Sequence, residues 1–272
     1  MNIRLRRLAA TDLEAAHGLS TEAGWPHRLE DWRLFHEFGS GIAACDENGT
    51  IIGTAMGWRY GARAGTLGMI LVSPPLQGQG LGRRLMQNLL DDAGGRGLML
   101  NATAAGLRLY TACGFGIVGA IRQFQGQCRS IHDTTAARAL QPNDRAALLA
   151  LDEAAFGAPR TALLERLMQD GRTMVIGAPQ ITGFAIRRAF GRGQVIGPLV
   201  AASEDEGIEL VAALAVPGFL RIDIPVTATR LMAWLTDAGL VDAGGATTMV
   251  RGGWPASSSR TRRFALVSQA LG

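Results

Sequence analysis

Hydrophobic and polar positions alternate along the chain in two periods, one suited to strands and the other to helices. The β-type run Met69-Ile70-Leu71-Val72 stops at Ser73-Pro74-Pro75 and crosses a glycine-rich turn. It then enters a helix whose apolar residues Leu81, Leu85, Met86, Leu89 and Leu90 share one face. A short strand is predicted over Leu98 to Asn101, and a helical stretch from Leu107 ends at Gly114-Phe115. Upstream, Asp31, Leu34, Phe35 and Phe38 fall at helical spacing. Leu8 to Ala16 reads as a strand end, an N-cap at Thr11 or Asp12, and a helix. That layout returns at Leu140 to Leu148, 132 residues on (Asp12 to Asp144). The segment Leu231 to Leu240 repeats the one ending Gly114-Phe115, 125 residues on (Gly114 to Gly239). Similar offsets in the same order predict two copies of one fold.

Length agrees with that division. A chain of 272 residues divides into lobes 1–126 and 140–272 joined by a linker at 127–139. With 47% hydrophobic and 18% charged residues it can bury a sizeable core. The formal charge is +4 and every one of the 27 basic residues is arginine, yet no dense basic run exists. A nucleic-acid partner is therefore not expected. Cys45, Cys113 and Cys128 form no paired framework, which fits a reducing compartment. The histidines show no metal-ligand spacing, so no metal site is expected. The N-terminus lacks the apolar core of a signal peptide, and no apolar window is long enough to span a bilayer. A soluble, cytoplasmic protein without membrane contact is the expectation. The apolar tail Phe264 to Leu271 is expected to dock on the body or on a second subunit of a homodimer.

The turn before the Leu81 helix carries the chemistry. Its backbone N–H groups lack intrahelical partners, and the helix dipole adds positive charge there, which suits a phosphate or pyrophosphate. An ATP or GTP loop of the Gly-Lys-Ser/Thr type is excluded, because the chain has no lysine. The dinucleotide fingerprint fits poorly, since Gly78, Gly80 and Gly82 alternate and no acid ends the next strand. The pattern that fits is Gln-x-x-Gly-x-Gly, met by Gln77, Gly80 and Gly82. With Val72-Ser73-Pro74 before it and Leu109-Tyr110-x-x-x-Gly114-Phe115 after it, the sequence resembles the GCN5-related N-acetyltransferases, the GNAT superfamily. The second half, through Ile196 to Ala201, Arg221 to Pro225 and Thr248 to Gly252, looks like the C-terminal lobe of two-lobed bacterial GNAT proteins. That group includes an acyltransferase acting on the dithiolopyrrolone holothin.

The resemblance implies an α/β (α+β) fold of two tandem GNAT-like lobes, each a mixed, mostly antiparallel twisted sheet flanked by helices. It implies acetyl-CoA as the acyl donor and a small-molecule primary amine as acceptor, with direct sequential transfer. Leu71 and Val72 would pair with the pantetheine arm, and an N–H near Leu71 would polarise the thioester. Backbone N–H groups of Gln77, Gly78, Gln79, Gly80, Leu81 and Gly82 would hold the pyrophosphate. Arg83 either reaches phosphate oxygens or is a solvated face residue, as does Arg84. Asn101 either bonds the pantetheine or caps the next helix. Tyr110 is the candidate general acid for the departing thiolate, against a reading as core aromatic.

The copies differ where chemistry would occur. Opposite the glycine turn stand Ser203, Glu204, Asp205 and Glu206, which would repel pyrophosphate, and opposite Tyr110 stands Leu235. The second lobe is expected to have lost donor binding and to shape the substrate site. The base is harder to place, since no acid lies between Ile51 and Ser73. His27 is the catalytic candidate, against a structural role; Glu22, Asp31 and Asp223 are alternatives. Trp25 and Trp32, with Pro26 and Trp58, are candidates for an aromatic acceptor pocket that Asp31 joins, against a role as core. From another class of function, a non-catalytic acyl-CoA sensor fits the missing base.

Overall fold

The computed structural model describes residues 2–129, 136–255 and 261–272. Strand β1 (Arg4–Arg7) leads through a 3-10 turn (Ala10–Asp12) into α1 (Leu13–Glu22) and α2 (Leu29–Phe38). Strands β2 (Gly39–Cys45), β3 (Ile51–Tyr60) and β4 (Ala64–Val72) follow, then α3 (Leu81–Asp92), β5 (Gly97–Ala102), α4 (Leu107–Ala112) and β6 (Gly116–Cys128). The order then repeats. It gives β7 (Ala137–Ala139), a 3-10 turn (Pro142–Asp144), α5 (Arg145–Phe156), α6 (Thr161–Asp170), β8 (Arg172–Ile176), β9 (Gly183–Phe190) and β10 (Gly193–Ala201). After these come α7 (Glu204–Leu214), β11 (Gly218–Pro225), α8 (Thr229–Asp237), β12 (Val241–Arg251) and an added β13 (Arg262–Ala265). Of the linker expected at 127–139, Gln127 and Cys128 belong to β6 and 137–139 form β7; 130–135 lie outside the described residues.

The repeat holds at the level of single bonds. The Asp12 carboxylate accepts from both Arg6 Nη atoms (2.5 and 2.8 Å) and from the Ala9 N–H (2.7 Å). Asp144 does the same with Arg138 (2.6 and 2.8 Å) and the Gln141 N–H (2.8 Å). Neither aspartate caps its helix by a side-chain bond; each turns back to fasten the preceding strand. The helices α4 and α8 end alike. Gly114 and Gly239 take positive φ (84° and 92°), and Phe115 and Leu240 N–H donate to the carbonyls of Tyr110 and Leu235, both at 3.0 Å. Leu235 thus occupies the place of Tyr110.

The strands form one continuous sheet in the order β1-β2-β3-β4-β5-β12-β6-β11-β10-β9-β8-β7. Each lobe is antiparallel except for one parallel pair, β4 with β5 and β10 with β11. Those parallel pairs are short. Only Ala64–Thr66 pair with Gly97–Met99, and only Gln194 and Val195 with Leu220 and Arg221, so each sheet opens into a wedge beyond. The lobes also trade closing strands: β12 of the second lies along β5 of the first, and β6 of the first along β11 of the second. This exchange sets Arg221 and Gln123 close to the first lobe's wedge.

Helix α3 buries Leu81, Leu85, Met86 and Leu89 against the first half-sheet, as its periodicity predicts. On the other face Trp32, Phe35 and Trp58 are almost wholly buried. The tail packs on its own chain. Strand β13 fills the second wedge, antiparallel to β10, and Leu266 N–H donates to Asp223 O (3.0 Å). From there Val267 to Leu271 cross to the first lobe, where Tyr60 Oη donates to Leu271 O (3.0 Å). No helix among the described residues is long and apolar enough to cross a membrane.

Candidate active site

The first wedge is the place where strand edges, a helix N-terminus and a cavity meet. Beyond Thr66, β4 leaves β5 and its second edge goes unpaired over Leu67–Val72. Here β4 bulges: Gly68 faces Met56 and Leu71 faces Thr54, so Met69 and Ile70 together oppose Ala55. Met69 has φ +52°, alone among the described non-glycine residues in being positive, and its carbonyl is tied down by Thr54 Oγ1 (2.9 Å). Such backbone costs roughly 1–3 kcal/mol and marks functional walls more often than neutral ones. Leu71 and Val72 continue from the bulge along the open edge, as the sequence suggested; the bulge itself had no sequence signal.

At the mouth of the wedge the glycine turn is open. Gly78 and Gly80 have φ of 77° and 82°, and a Cβ on either would meet nothing within 4 Å. Gly80 caps α3 with no side-chain bond, leaving the first N–H groups of the helix for a ligand. The turn is braced from behind, with Gln77 Nε2 donating to Val72 O (3.0 Å) and Gln79 Nε2 to Pro75 O (3.1 Å). Both glutamine side chains thus brace the turn through Nε2. Arg83 is exposed on the first turn, whereas Arg84 donates to Ile3 O (3.1 Å). Gly82 lies close to Leu109 of α4. Tyr110 sits on that helix, buried beside Phe115 (6.4 Å between centroids), and burial pushes its phenol up to about 12.

The corresponding helix N-terminus of the second lobe is capped and acidic. Ser203 Oγ caps α7 by accepting from Glu206 N (3.2 Å), and Glu206 accepts from Ala202 N (2.9 Å) just before it. Glu204 turns to the start of α8, accepting from Arg230 N and Leu231 N. Carboxylates at that end oppose a further anion, and β13 occupies the wedge behind it.

On the far side of the first wedge lies a cavity of about 240 Å³. Trp25, Pro26 and His27 form one wall, Leu67 to Met69 another, and Asn101 and Thr103 a third. The second lobe supplies the rest: Phe190, Arg221 and Ser268 to Ala270, with Gln123 beside them. His27 is packed edge-on against Trp25 (5.7 Å), Phe35 (5.6 Å) and Phe190 (5.6 Å). Burial, and secondarily the charge of Arg221, lower its pKa to about 4, so it is neutral at neutral pH. Its Nδ1 is buried without a hydrogen-bond partner.

Several sequence candidates lie elsewhere. Asp31 is buried and does not line the cavity. Its carboxylate accepts from Arg28 (2.7 Å to Nη2, 2.9 Å to N) and from Gly191 N (2.9 Å), fastening the His27 loop to the second lobe. Trp32 and Trp58 are core, with Nε1 donating to Ser20 Oγ (3.0 Å) and to Phe35 O (2.9 Å) respectively. Asn101 lines the cavity and caps no helix, since α4 starts after Gly106. Its Nδ2 donates to Gln269 O (2.8 Å), and its Oδ1 accepts from Thr248 (2.8 Å). Asp223 is fully buried and held by Arg221 and Gln269, which removes it from the list of free bases. The residues that sequence reasoning missed, Phe190, Arg221, Gln123 and Gln269, reach the cavity only through the strand exchange and the tail. Their one signal was charge inside apolar strands, in Phe184 to Phe190 and Arg221 to Pro225.

Comparison with known proteins places both halves in one family. Residues 5–115 match the family described as acetyltransferase (GNAT) family, and residues 148–265 the acetyltransferase (GNAT) domain. A relative in Bacillus subtilis (strain 168), described as uncharacterized N-acetyltransferase YitH, is 28% identical over 233 residues, 81% of this chain and 82% of its own. The fold is shared with a candidate acetyltransferase from Pyrococcus horikoshii (TM-score 0.82, 19% identity, 99% of this chain and 96% of that one). It is also shared with a GCN5-related N-acetyltransferase from Sphaerobacter thermophilus (TM-score 0.67, 16% identity, 94% and 98%). With GNAT domains in both halves, an open wedge in the first and a self-filled wedge in the second, the chain belongs to the GNAT acetyltransferases as a two-domain member.

Proposed function

We propose that the first lobe binds acetyl-CoA and transfers its acetyl group directly to the primary amine of a small molecule held in the interlobe cavity. The observation that carries this reading is the contrast between the two helix N-termini. Gly78 and Gly80 leave open space above free N–H groups in the first lobe, whereas in the second the Ser203 hydroxyl caps α7 and Glu204, Asp205 and Glu206 make its first turn acidic. The turn therefore suits a pyrophosphate in one lobe only, and the unpaired β4 edge runs from it to the cavity, as a pantetheine arm requires. The second lobe is then a substrate-shaping half with no donor site.

Bound there, the donor supplies an activated acyl group, and the chain's own groups do the rest. The bulged backbone of β4 lies where an N–H can polarise the thioester carbonyl. The amine nitrogen attacks that carbon, the carbon–sulfur bond breaks, and the proton lost by the amine ends on sulfur. Tyr110 stays protonated throughout the neutral range and can relay that proton, donating its own to the departing thiolate and regaining the one the amine releases. His27, neutral and with Nδ1 unpartnered, can accept a hydrogen bond that orients the amine, and its low pKa makes it a weak proton acceptor. The three cysteines are unpaired, which suits a reducing cytoplasm.

Thiol release from acetyl-CoA over a panel of amines tests the reading. Tyr110→Phe is expected to slow turnover by about 10²- to 10⁴-fold with the melting temperature little changed. One observation favours the rival reading, a donor-binding sensor without turnover: among the described residues no free carboxylate lines the cavity. Tight CoA binding with no thiol release on any amine would decide for the sensor.

A further inference from the structure

Arg221 is the one charged side chain lining the cavity among the described residues, and Arg28 and Arg188 stand behind its wall. Arg28 is matched by Asp31 (2.7 Å), and Arg221 by Asp223 (2.9 Å). Arg188, fully buried behind Phe190 (4.9 Å from Cζ to the ring centroid), makes no ion pair among the described residues, and Asp31 and Asp170 act on it only from a distance. Its Nη2 donates to Val267 O (2.8 Å), and its Nε has no partner among those residues. Burial lowers its pKa only to about 10, so the charge persists at neutral pH. A buried unpaired guanidinium is costly and calls for a compensating anion.

The geometry of Arg221 shows where such an anion would sit. Asp223 engages it side-on, through Nε (3.0 Å) and Nη2 (3.1 Å), so Nη1 has no partner among the described residues while the side chain lines the cavity. Phe190 lies 5.5 Å beneath this guanidinium and holds its plane. Around it stand amide and hydroxyl groups, Gln123, Gln269 and Ser268, and no free carboxylate among the described residues. Trp25, Pro26 and Phe190 give the same cavity an apolar side.

We propose that the acceptor is an amino acid or a close analogue, with its carboxylate held by Arg221 and its amine directed towards the β4 bulge. This rests on the reading of the first lobe as an acetyltransferase and adds the chemical class of its acceptor. The second lobe is then the element that recognises the acceptor. The same excess charge bears on the missing base. A cation beside an ammonium favours the neutral amine, so less proton removal is left for the protein to perform.

The test compares each of the common α-amino acids with its decarboxylated amine, using full-length protein. Turnover is read by thiol release with acetyl-CoA, and binding by thermal shift in the presence of CoA. At least one acid is expected to exceed its amine partner by roughly tenfold or more in kcat/KM. In the double variant Arg221→Gln, Asp223→Asn, which removes the pair without leaving a buried charge, that ratio is expected to collapse. Unchanged CoA affinity reports that the variant is folded. Should no acid outdo its amine in turnover or in thermal shift, the proposal fails, and turnover of plain amines would leave the acetyltransferase reading intact. Should the acids stabilise the protein while CoA does not bind, the anion site survives and the donor site is what fails.

Discussion

At the scale of single residues, His27 shows how far burial can move a side chain from what its type suggests. Its pKa falls from 6.5 to about 4, with desolvation the main cause. The unfolded chain therefore takes up this proton first as the pH drops. Above about pH 6.5 both states are neutral and nothing is lost; between about 6.5 and 4 the folded state forfeits roughly 3 kcal/mol. Urea unfolding measured from pH 8 to pH 4 is expected to show that loss, and His27→Gln to flatten the curve in this window. An unchanged acid limb in the variant would assign the loss to other groups. The sequence named His27 and Trp25, which both line the cavity, but also Asp31 and Trp32, which do not. Tryptophan and a helix-flanking aspartate serve core and pocket equally well. Only packing against Ser20 and Gly191 separates the two uses.

Among elements, the shape of the turn into α3 was legible, because it lies in the backbone and depends on adjacent residues alone. Glycines at 78 and 80 with positive φ, followed by a helix with one apolar face, leave little freedom in the result. The β4 bulge was illegible, since it depends on how β3 and β5 hold that strand. Gly80→Ala separates strain from function. At φ +82° an alanine costs roughly 1–2 kcal/mol of stability, and its Cβ projects into the open space where the proposed donor's pyrophosphate would lie. Gly49→Ala is the matched control, with φ +83° and equally open surroundings on the β2–β3 turn. Both variants are expected to lose similar stability. Only Gly80→Ala should weaken CoA binding by calorimetry, by about tenfold or more. Equal affinity in the two would remove the turn from the donor site.

For the whole molecule, the sequence showed two copies of one fold but not that they share their sheets. The repeat offsets carry no information on which strand lies beside which, because β6 and β12 fit either neighbour in pattern. In the folded chain the first lobe's β5 is closed by β12, the second lobe's β11 by β6, and the tail Val267 to Leu271 is buried against the first lobe. Each half alone would expose a long strand edge and lose part of its core. Chains 1–129 and 136–272, expressed separately, are therefore expected to aggregate or stay unfolded. Co-expressed, they are expected to form a one-to-one complex with the circular dichroism of the intact protein and the same CoA affinity. If 1–129 were to fold alone as a CoA-binding monomer, the exchanged strands would be dispensable. The link from the second lobe to the acceptor cavity would then be additive packing only. If it requires its other half, then donor binding in one lobe and acceptor recognition by the other are consequences of a single folding unit. In that case, substitutions in β12 that destabilise the second lobe should lower CoA affinity as well.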